Sequence, residues 1–169
     1  WADLTVPVNT YAHAIATDGA GVWVATLQQS GTGVLRSTDN GITWTLISLP
    51  GNVTAIDTDR KGVWVAAGTS AGYRSIDNGL TWAAVSARAS QGSLKTDRNG
   101  VWVATSSTSW VRSTDNGLTW GSSAGNAPVL GMKARTNREG LWVCVHGNAI
   151  RRSTDNGASF QSVTATGGL

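Results

Sequence analysis

The chain is predicted to be all-β, a β-propeller of four-stranded antiparallel blades. An octapeptide recurs as Ser37-Thr-Asp-Asn-Gly-Ile-Thr-Trp44, Ser75-Ile-Asp-Asn-Gly-Leu-Thr-Trp82, Ser113-Thr-Asp-Asn-Gly-Leu-Thr-Trp120 and Ser153-Thr-Asp-Asn-Gly-Ala-Ser-Phe160. Its serines stand 38, 38 and 40 residues apart, a period that marks stacked or radial supersecondary units. Each period holds four strand-like segments and no helical pattern, which is the content of a propeller blade. A sandwich also uses short strands, but it does not repeat its sequence every fourth one.

The elements follow in a fixed order. A first strand runs into a polar turn at His13–Asp18, Thr54–Asp59, Gly92–Asp97 and Met132–Asn137, where Asp or Asn ahead of Gly is tight-turn chemistry. The second strand is an unbroken apolar run: Gly21–Ala25, Gly62–Ala66, Gly100–Ala104 and Gly140–Cys144. Its β-branched and aromatic content predicts a strand buried on both faces. A third strand ends on Arg36, Arg74, Arg112 or Arg152, and a fourth begins at Trp44, Trp82, Trp120 or Phe160. One domain is expected over 1–169, with repeats approximately at 1–37, 38–75, 76–113 and 114–153 and a closing strand in 154–169. The opening Trp1-Ala-Asp-Leu-Thr-Val aligns with the fourth strands, so five of these accompany four copies of the other three. The preferred expectation is a fragment of a larger propeller, cut just after an upstream octapeptide; the alternative is a strand supplied across a closure seam. Four blades can close as a small ring, or two chains can pool theirs as a homo-oligomer.

Within the octapeptide, Asp39, Asp77, Asp115 and Asp155 can accept backbone N–H bonds in an Asx-type turn, and Gly41, Gly79, Gly117 and Gly157 supply its φ > 0 position. Ser37, Ser75, Ser113 and Ser153 can bridge the hairpin, and Trp44, Trp82, Trp120 and Phe160 lay an apolar face over it. The pattern Ser-x-Asp-x-Gly-x-Thr-Trp resembles the Asp-box, or bacterial neuraminidase repeat, in register over essentially the whole chain. The resemblance implies a propeller with the box at the hairpin between third and fourth strands, on the outer rim and away from any active centre. The same box occurs in sialidases, some glucanases, sortilin-type receptors, photosystem assembly factors and phage or bacterial surface propellers, so it specifies fold and not function.

Composition removes several classes. Net charge is only +3, and the ten Arg among thirteen cations are spread through the repeats, so no nucleic-acid partner is expected. No stretch is long enough for a membrane-spanning helix, no signal-peptide pattern is seen, and no membrane insertion is expected. Cys144 stands alone in a second strand and reads as an inert core residue. His13 and His146 are not spaced as a metal pair, the boxes lack the closing Glu of a calcium loop, and neither metal nor cofactor is expected.

Chemistry requires residues that break the repeat, because repeated positions point radially and do not converge. Sialidase machinery needs a Tyr nucleophile paired with Glu, an Arg cluster and an Asp acid. Here the one Glu is Glu139, in a turn, and the Tyr are Tyr11 and Tyr73, so no catalytic residues are assigned and no enzyme is expected. The most variable inner-strand column reads Ala16, Asp57, Lys95 and Arg135, preceded two residues earlier by Ala14, Ala55, Ser93 and Lys133. It is read as solvated channel lining with salt bridges between blades, and alternatively as a ligand funnel using Asp57, Lys95 and Arg135. Of the nine Trp, only Trp110 falls outside a repeat column, its counterparts being Val34, Gly72 and Ile150. Trp110, beside 106–109, is the best aromatic candidate for glycan stacking, but core packing is the preferred account of it; Tyr73 is carried as a further ligand candidate. The Arg before each box recurs in all copies and reads as a blade-edge structural residue.

The expected function is a non-enzymatic interaction or structural propeller, similar in phrase to those of phage tail and fibre proteins. A tail or receptor-binding role on a virion or extracellular surface follows from that likeness, with a cell-surface glycan or another virion protein as partner. The alternatives are a binding factor of the photosystem-assembly type, with an Arg-rich pigment- or protein-binding face, and a fragment of a sialidase-like glycoside hydrolase.

Overall fold

The computed structural model describes residues 11–28, 33–68, 71–87, 93–105, 110–122, 133–146 and 149–164. Among these there are sixteen strands in four sheets and no helix. The first sheet holds β1 (Tyr11–Thr17), β2 (Trp23–Gln28), β3 (Gly33–Ser37) and β4 (Thr45–Ser48). The second holds β5 (Ala55–Thr58), β6 (Trp64–Ala67), β7 (Gly72–Ser75) and β8 (Ala83–Val85). The third holds β9 (Leu94–Thr96), β10 (Trp102–Thr105), β11 (Trp110–Ser113) and β12 (Gly121–Ser122). The fourth holds β13 (Lys133–Thr136), β14 (Trp142–His146), β15 (Ala149–Ser153) and β16 (Gln161–Val163). Every sheet is antiparallel in chain order, so each fourth strand belongs with the three before it. The expected extra strand at Trp1 and the last residues, 165–169, lie outside the described residues.

Register is the same in each sheet. The second-strand Trp faces the box Ser across the ladder: Trp23 opposite Ser37, Trp64 opposite Ser75, Trp102 opposite Ser113, Trp142 opposite Ser153. A one-residue slip would turn every side chain to the wrong face, so this pairing fixes which residues meet the neighbouring sheet. All four residues of β6 and all four of β10 are buried, as unbroken apolar runs require.

They are buried because sheet packs on sheet. Val65, Ala67 and Ala55 of the second sheet form one cluster with Leu94, Trp102 and Ala104 of the third. Val24 and Val34 of the first meet Ile56, Trp64, Ala66 and Tyr73 of the second, and Val103 and Trp110 of the third meet Ala134, Trp142, Cys144 and Phe160 of the fourth. A smaller cluster of Ala25, Leu27 and Leu35, with Trp44 against it, lies in the first sheet. The first strands pack in sequence, β1 on β5, β5 on β9 and β9 on β13, which is the radial arrangement of propeller blades with inner strands toward the axis.

Candidate functional site

The octapeptides form the hairpins between third and fourth strands, and their hydrogen bonds show a self-contained turn. In the first, the Ser37 hydroxyl donates to Asp39 Oδ1 at 2.7 Å and accepts from the Gly41 N–H at 2.9 Å. Asp39 also accepts from the Thr43 N–H at 2.9 Å and from the Thr43 hydroxyl at 2.6 Å. Trp44 Nε1–H closes the turn on the Gly41 carbonyl at 3.0 Å. The serine thus works inside the turn and does not bridge the strands. Both Asn40 (φ 58°) and Gly41 (φ 86°) are left-handed, and the other boxes repeat this, so the invariant Asn is as much a conformational choice as the Gly.

These bonds favour the charged carboxylate. At Asp39 the Thr43 hydroxyl and N–H lead, with Ser37 following, and lower its pKa from an ordinary 3.8 to about 2. At Asp77, Asp115 and Asp155, burial pushes upward, but the hydrogen bonds from Thr81, Thr119 or Ser159 and from the box Ser outweigh it and leave each at about 2. Every box carboxylate is committed to its own hairpin.

Each sheet then grips the next through that hairpin. Arg36 Nε–H donates to the Asn78 carbonyl at 2.7 Å, Arg74 to Asn116 at 2.8 Å and Arg112 to Asn156 at 2.9 Å. A second link uses the box Asn side chain. Trp102 Nε1–H donates to Asn116 Oδ1 at 2.9 Å, and Asn116 Nδ2–H donates back to Asp59 Oδ2 of the preceding sheet at 3.0 Å. Trp142, Asn156 and Asp97 repeat it at 2.8 and 3.1 Å. The recurrent Arg is therefore structural, as expected at a blade edge.

The turns between first and second strands close on the same Asp. Asp59 Oδ1 accepts the Lys61 and Val63 N–H groups at 2.7 and 3.0 Å, and Asp97 those of Asn99 and Val101 at 2.7 and 2.9 Å. The next residue is left-handed and is arginine in three turns: Arg60 (φ 63°), Arg98 (φ 66°) and Arg138 (φ 68°), with Gly19 (φ 80°) in the first. A Cβ on Gly19 would lie 3.6 Å from Arg60 Nη1, so the guanidinium sits over that glycine. Burial and then the charges of Arg138 and Arg60 lower the Arg98 pKa, with Asp57 opposing. Three turn arginines therefore share one field. Sequence reading passed over them; the signal was the recurring Asp/Asn-Arg-x-Gly.

A hollow of about 250 Å³ beside them is lined by Asp57, Lys95, Thr96, Arg98, Arg135, Thr136 and Arg138. The structure thus brings Asp57, Lys95 and Arg135 together. Lys95 Nζ stands 3.2 Å from Asp57 Oδ2, a salt bridge between sheets, and the Thr58 and Thr96 N–H groups donate to the same carboxylate at 3.0 and 3.3 Å. Arg135 donates to the Ala134 carbonyl at 2.8 Å. A partly exposed pair of this kind contributes under about 1 kcal/mol. His13 Nδ1–H donates to the Thr54 carbonyl of the next sheet at 2.7 Å.

Trp110 is core, as its preferred reading expects, so it and Tyr73 are both withdrawn as ligand candidates. Trp110 is 2% exposed and packs edge-on against Phe160, ring centroids 5.5 Å apart at 86°, so its face is unavailable to a glycan. Tyr73 is 5% exposed inside the junction of the first two sheets. Both fill space between sheets. Cys144 is buried, and burial pushes its thiol up to about 11 against a weaker pull from Arg151, as an inert core residue requires. Among the described residues, no three His, Cys, Asp or Glu side chains converge, and no helix is long and apolar enough to cross a membrane.

Fold and box together define an Asp-box β-propeller. Residues 35–46 match the BNR/Asp-box repeat family. Among solved structures, the chain is similar to YCF48 bound to D1 peptide, with TM-score 0.69 and 14% identity over 97% of this chain and 56% of that one. It is similar to the Niastella koreensis GH74 enzyme, with TM-score 0.65 and 24% identity over 88% of this chain and 24% of that one. It is also similar to the GH74 xyloglucanase from Xanthomonas campestris, with TM-score 0.67 and 16% identity over 93% and 32%. The chain thus spans just over half the length of the YCF48 structure and a third or less of the two enzymes. No curated protein matches it.

Proposed function

We propose that this propeller is a non-enzymatic binding module, whose inner turns offer a basic face to an acidic segment of a protein partner. One observation carries the reading: Lys95, Arg98, Arg135 and Arg138 line a single hollow in which Asp57 is the lone acid, already held by Lys95. Cations gathered on inner strands and the turns that follow them are placed by the fold before a partner arrives, so little ordering is lost when a carboxylate-rich chain binds. The likeness to YCF48 bound to a peptide supports this class of role and favours the assembly-factor alternative. The phage-tail or receptor-binding role, its glycan partner and its virion or extracellular location rest on the repeated phrase alone, and YCF48 and the GH74 enzymes are not tail proteins.

The likeness to GH74 enzymes favours a second reading, in which these sheets belong to a glycoside hydrolase. Titration with a fluorescent Glu-rich peptide separates the two. The chain is expected to bind it with affinity that falls as salt rises, and Arg98→Glu with Arg138→Glu weakens binding roughly tenfold or more. Peptide affinity indifferent to those changes, or turnover of xyloglucan by the chain, refutes the binding-module reading.

A further inference from the structure

Asp57 is the one described aspartate with no turn to hold. The box aspartates close their hairpins, and Asp18, Asp59 and Asp97 close the turns between first and second strands. Asp57 lies instead on an inner strand, in the column that reads Ala16, Lys95 and Arg135 in the other sheets. Its carboxylate reaches the third sheet, where the Lys95 ammonium and the Thr96 N–H both donate to Oδ2. A partly exposed ion pair of this kind contributes little to stability. Holding two sheets together is therefore a weak account of why an acid stands among four cations.

Lys95 is the cation that Asp57 ties up, and it is placed to be shared. Its side chain is 30% exposed, between buried Leu94 and Thr96 on β9. It also lines a second hollow of about 250 Å³ with His13, Lys133 and Arg135, to which no described acid contributes. An ammonium on a long flexible stem can turn from one carboxylate to another while the strand stays where it is. Asp57 tolerates the loss. The Thr58 N–H at 3.0 Å and the Thr96 N–H at 3.3 Å remain on its oxygens, so the carboxylate is not left unpaired. Its charge reaches further still: burial, Arg138 and Arg60 all work against the charge on Arg98, and Asp57 opposes them.

We infer that Asp57 is a built-in competitor for the acidic partner segment: it occupies Lys95 in the free chain and surrenders it to a carboxylate of the bound segment. The inference rests on the binding-module reading and adds to it the residue that sets affinity and selectivity. A single carboxylate arriving at Lys95 only exchanges one ion pair for another. A segment that also lays carboxylates on Arg98 and Arg138 gains ion pairs that no described acid makes. The site therefore favours a run of acidic residues over an isolated one.

The fluorescent Glu-rich peptide is titrated into the wild-type chain, Asp57→Asn, Lys95→Met and the double variant, with a circular-dichroism spectrum recorded for each. Asn keeps an oxygen for the main-chain N–H groups, so Asp57→Asn is expected to fold as the wild type does and to bind about three- to tenfold tighter. In the Lys95→Met background the same change is expected to gain about twofold or less, because only the field of the carboxylate is then removed. NMR of the wild-type chain needs no variant: at saturation with peptide, the Asp57 carboxyl carbon and the Lys95 side-chain resonances are expected to shift together. Binding that weakens with Arg98→Glu and Arg138→Glu yet ignores Asp57→Asn overturns this inference and leaves the binding module standing. An equal gain with and without Lys95, or Asp57 and Lys95 resonances unmoved at saturation, overturns it as well. Failure of both the wild type and Asp57→Asn to bind the peptide overturns the inference and the binding module together.

Discussion

The sharpest prediction concerns Gly117, where one methyl group probes the contact between two sheets. Its φ of +82° is left-handed, and a Cβ built there would lie 2.7 Å from Val65 Cγ2 of the preceding sheet. Carbon pairs are most favourable at about 3.5–4.0 Å, so one of the two groups must move. Ala at a left-handed position costs about 1–2 kcal/mol by itself, and forcing an extra methyl into a packed contact adds about 1–3 kcal/mol. Gly140 is the control: its φ is +91° and nothing lies within 4 Å of its Cβ, so Gly140→Ala carries the backbone cost alone. Urea unfolding followed by tryptophan fluorescence reads the difference. With a slope of about 2 kcal/mol per molar, Gly117→Ala lowers the midpoint roughly 0.5–1.5 M below that of Gly140→Ala. Val65→Ala removes the opposing methyl and shrinks the Gly117→Ala penalty, so the double-mutant cycle shows coupling. Equal midpoints for the two alanine variants, or a penalty unchanged by Val65→Ala, would falsify the sheet-on-box contact.

The box carboxylates predict an acid limit. Their folded pKa of about 2 lies below the ordinary 3.8, so the stability they contribute is complete above about pH 4 and is lost as pH falls through 2; acid unfolding monitored between those values should be shallower for Asp77→Asn. Trp110→Ala is expected to cost about 3–5 kcal/mol from the lost ring. Trp110→Phe should cost far less, because it also removes a buried Nε1–H that has no acceptor; a glycan-stacking Trp110 would instead leave the melt unmoved. The Cys144 thiol should resist a thiol-titrating reagent at pH 8 in the folded chain and react at once in denaturant.

Much of the architecture was legible because one unit is written several times. The Asp-Gly chemistry, the Gly-Val-Trp-Val runs and the Arg before each box predicted turns, buried strands and blade edges, and the structure places them so. The inner-strand reading of Asp57 and Lys95 as a cross-blade salt bridge was equally accessible, since charges of opposite sign occupied one column in consecutive repeats. Core packing was the favoured account of Trp110, but the ring it packs on, and the burial of Tyr73, were not legible. A side chain outside its repeat column looks like a functional exception, yet these two fill junctions whose neighbours supply different volumes: Trp110 meets Phe160, the one box that ends without Trp. The arginine turns were missed for a related reason. Their proximity spans about forty residues of chain and depends on three left-handed residues that composition alone does not reveal.

The grip between sheets has an evolutionary consequence. Arg36, Arg74 and Arg112 take hold of a main-chain carbonyl, not a side chain, so the acceptor exists in any sequence that folds into the same hairpin. A duplicated unit arrives with both halves of this one attachment already encoded, and the Arg grip itself needs no compensating substitution in its new neighbour. Lineages using this device can therefore change their number of blades by whole-unit copying in a single genetic event, while drift alters every exposed side chain around the unchanged carbonyl.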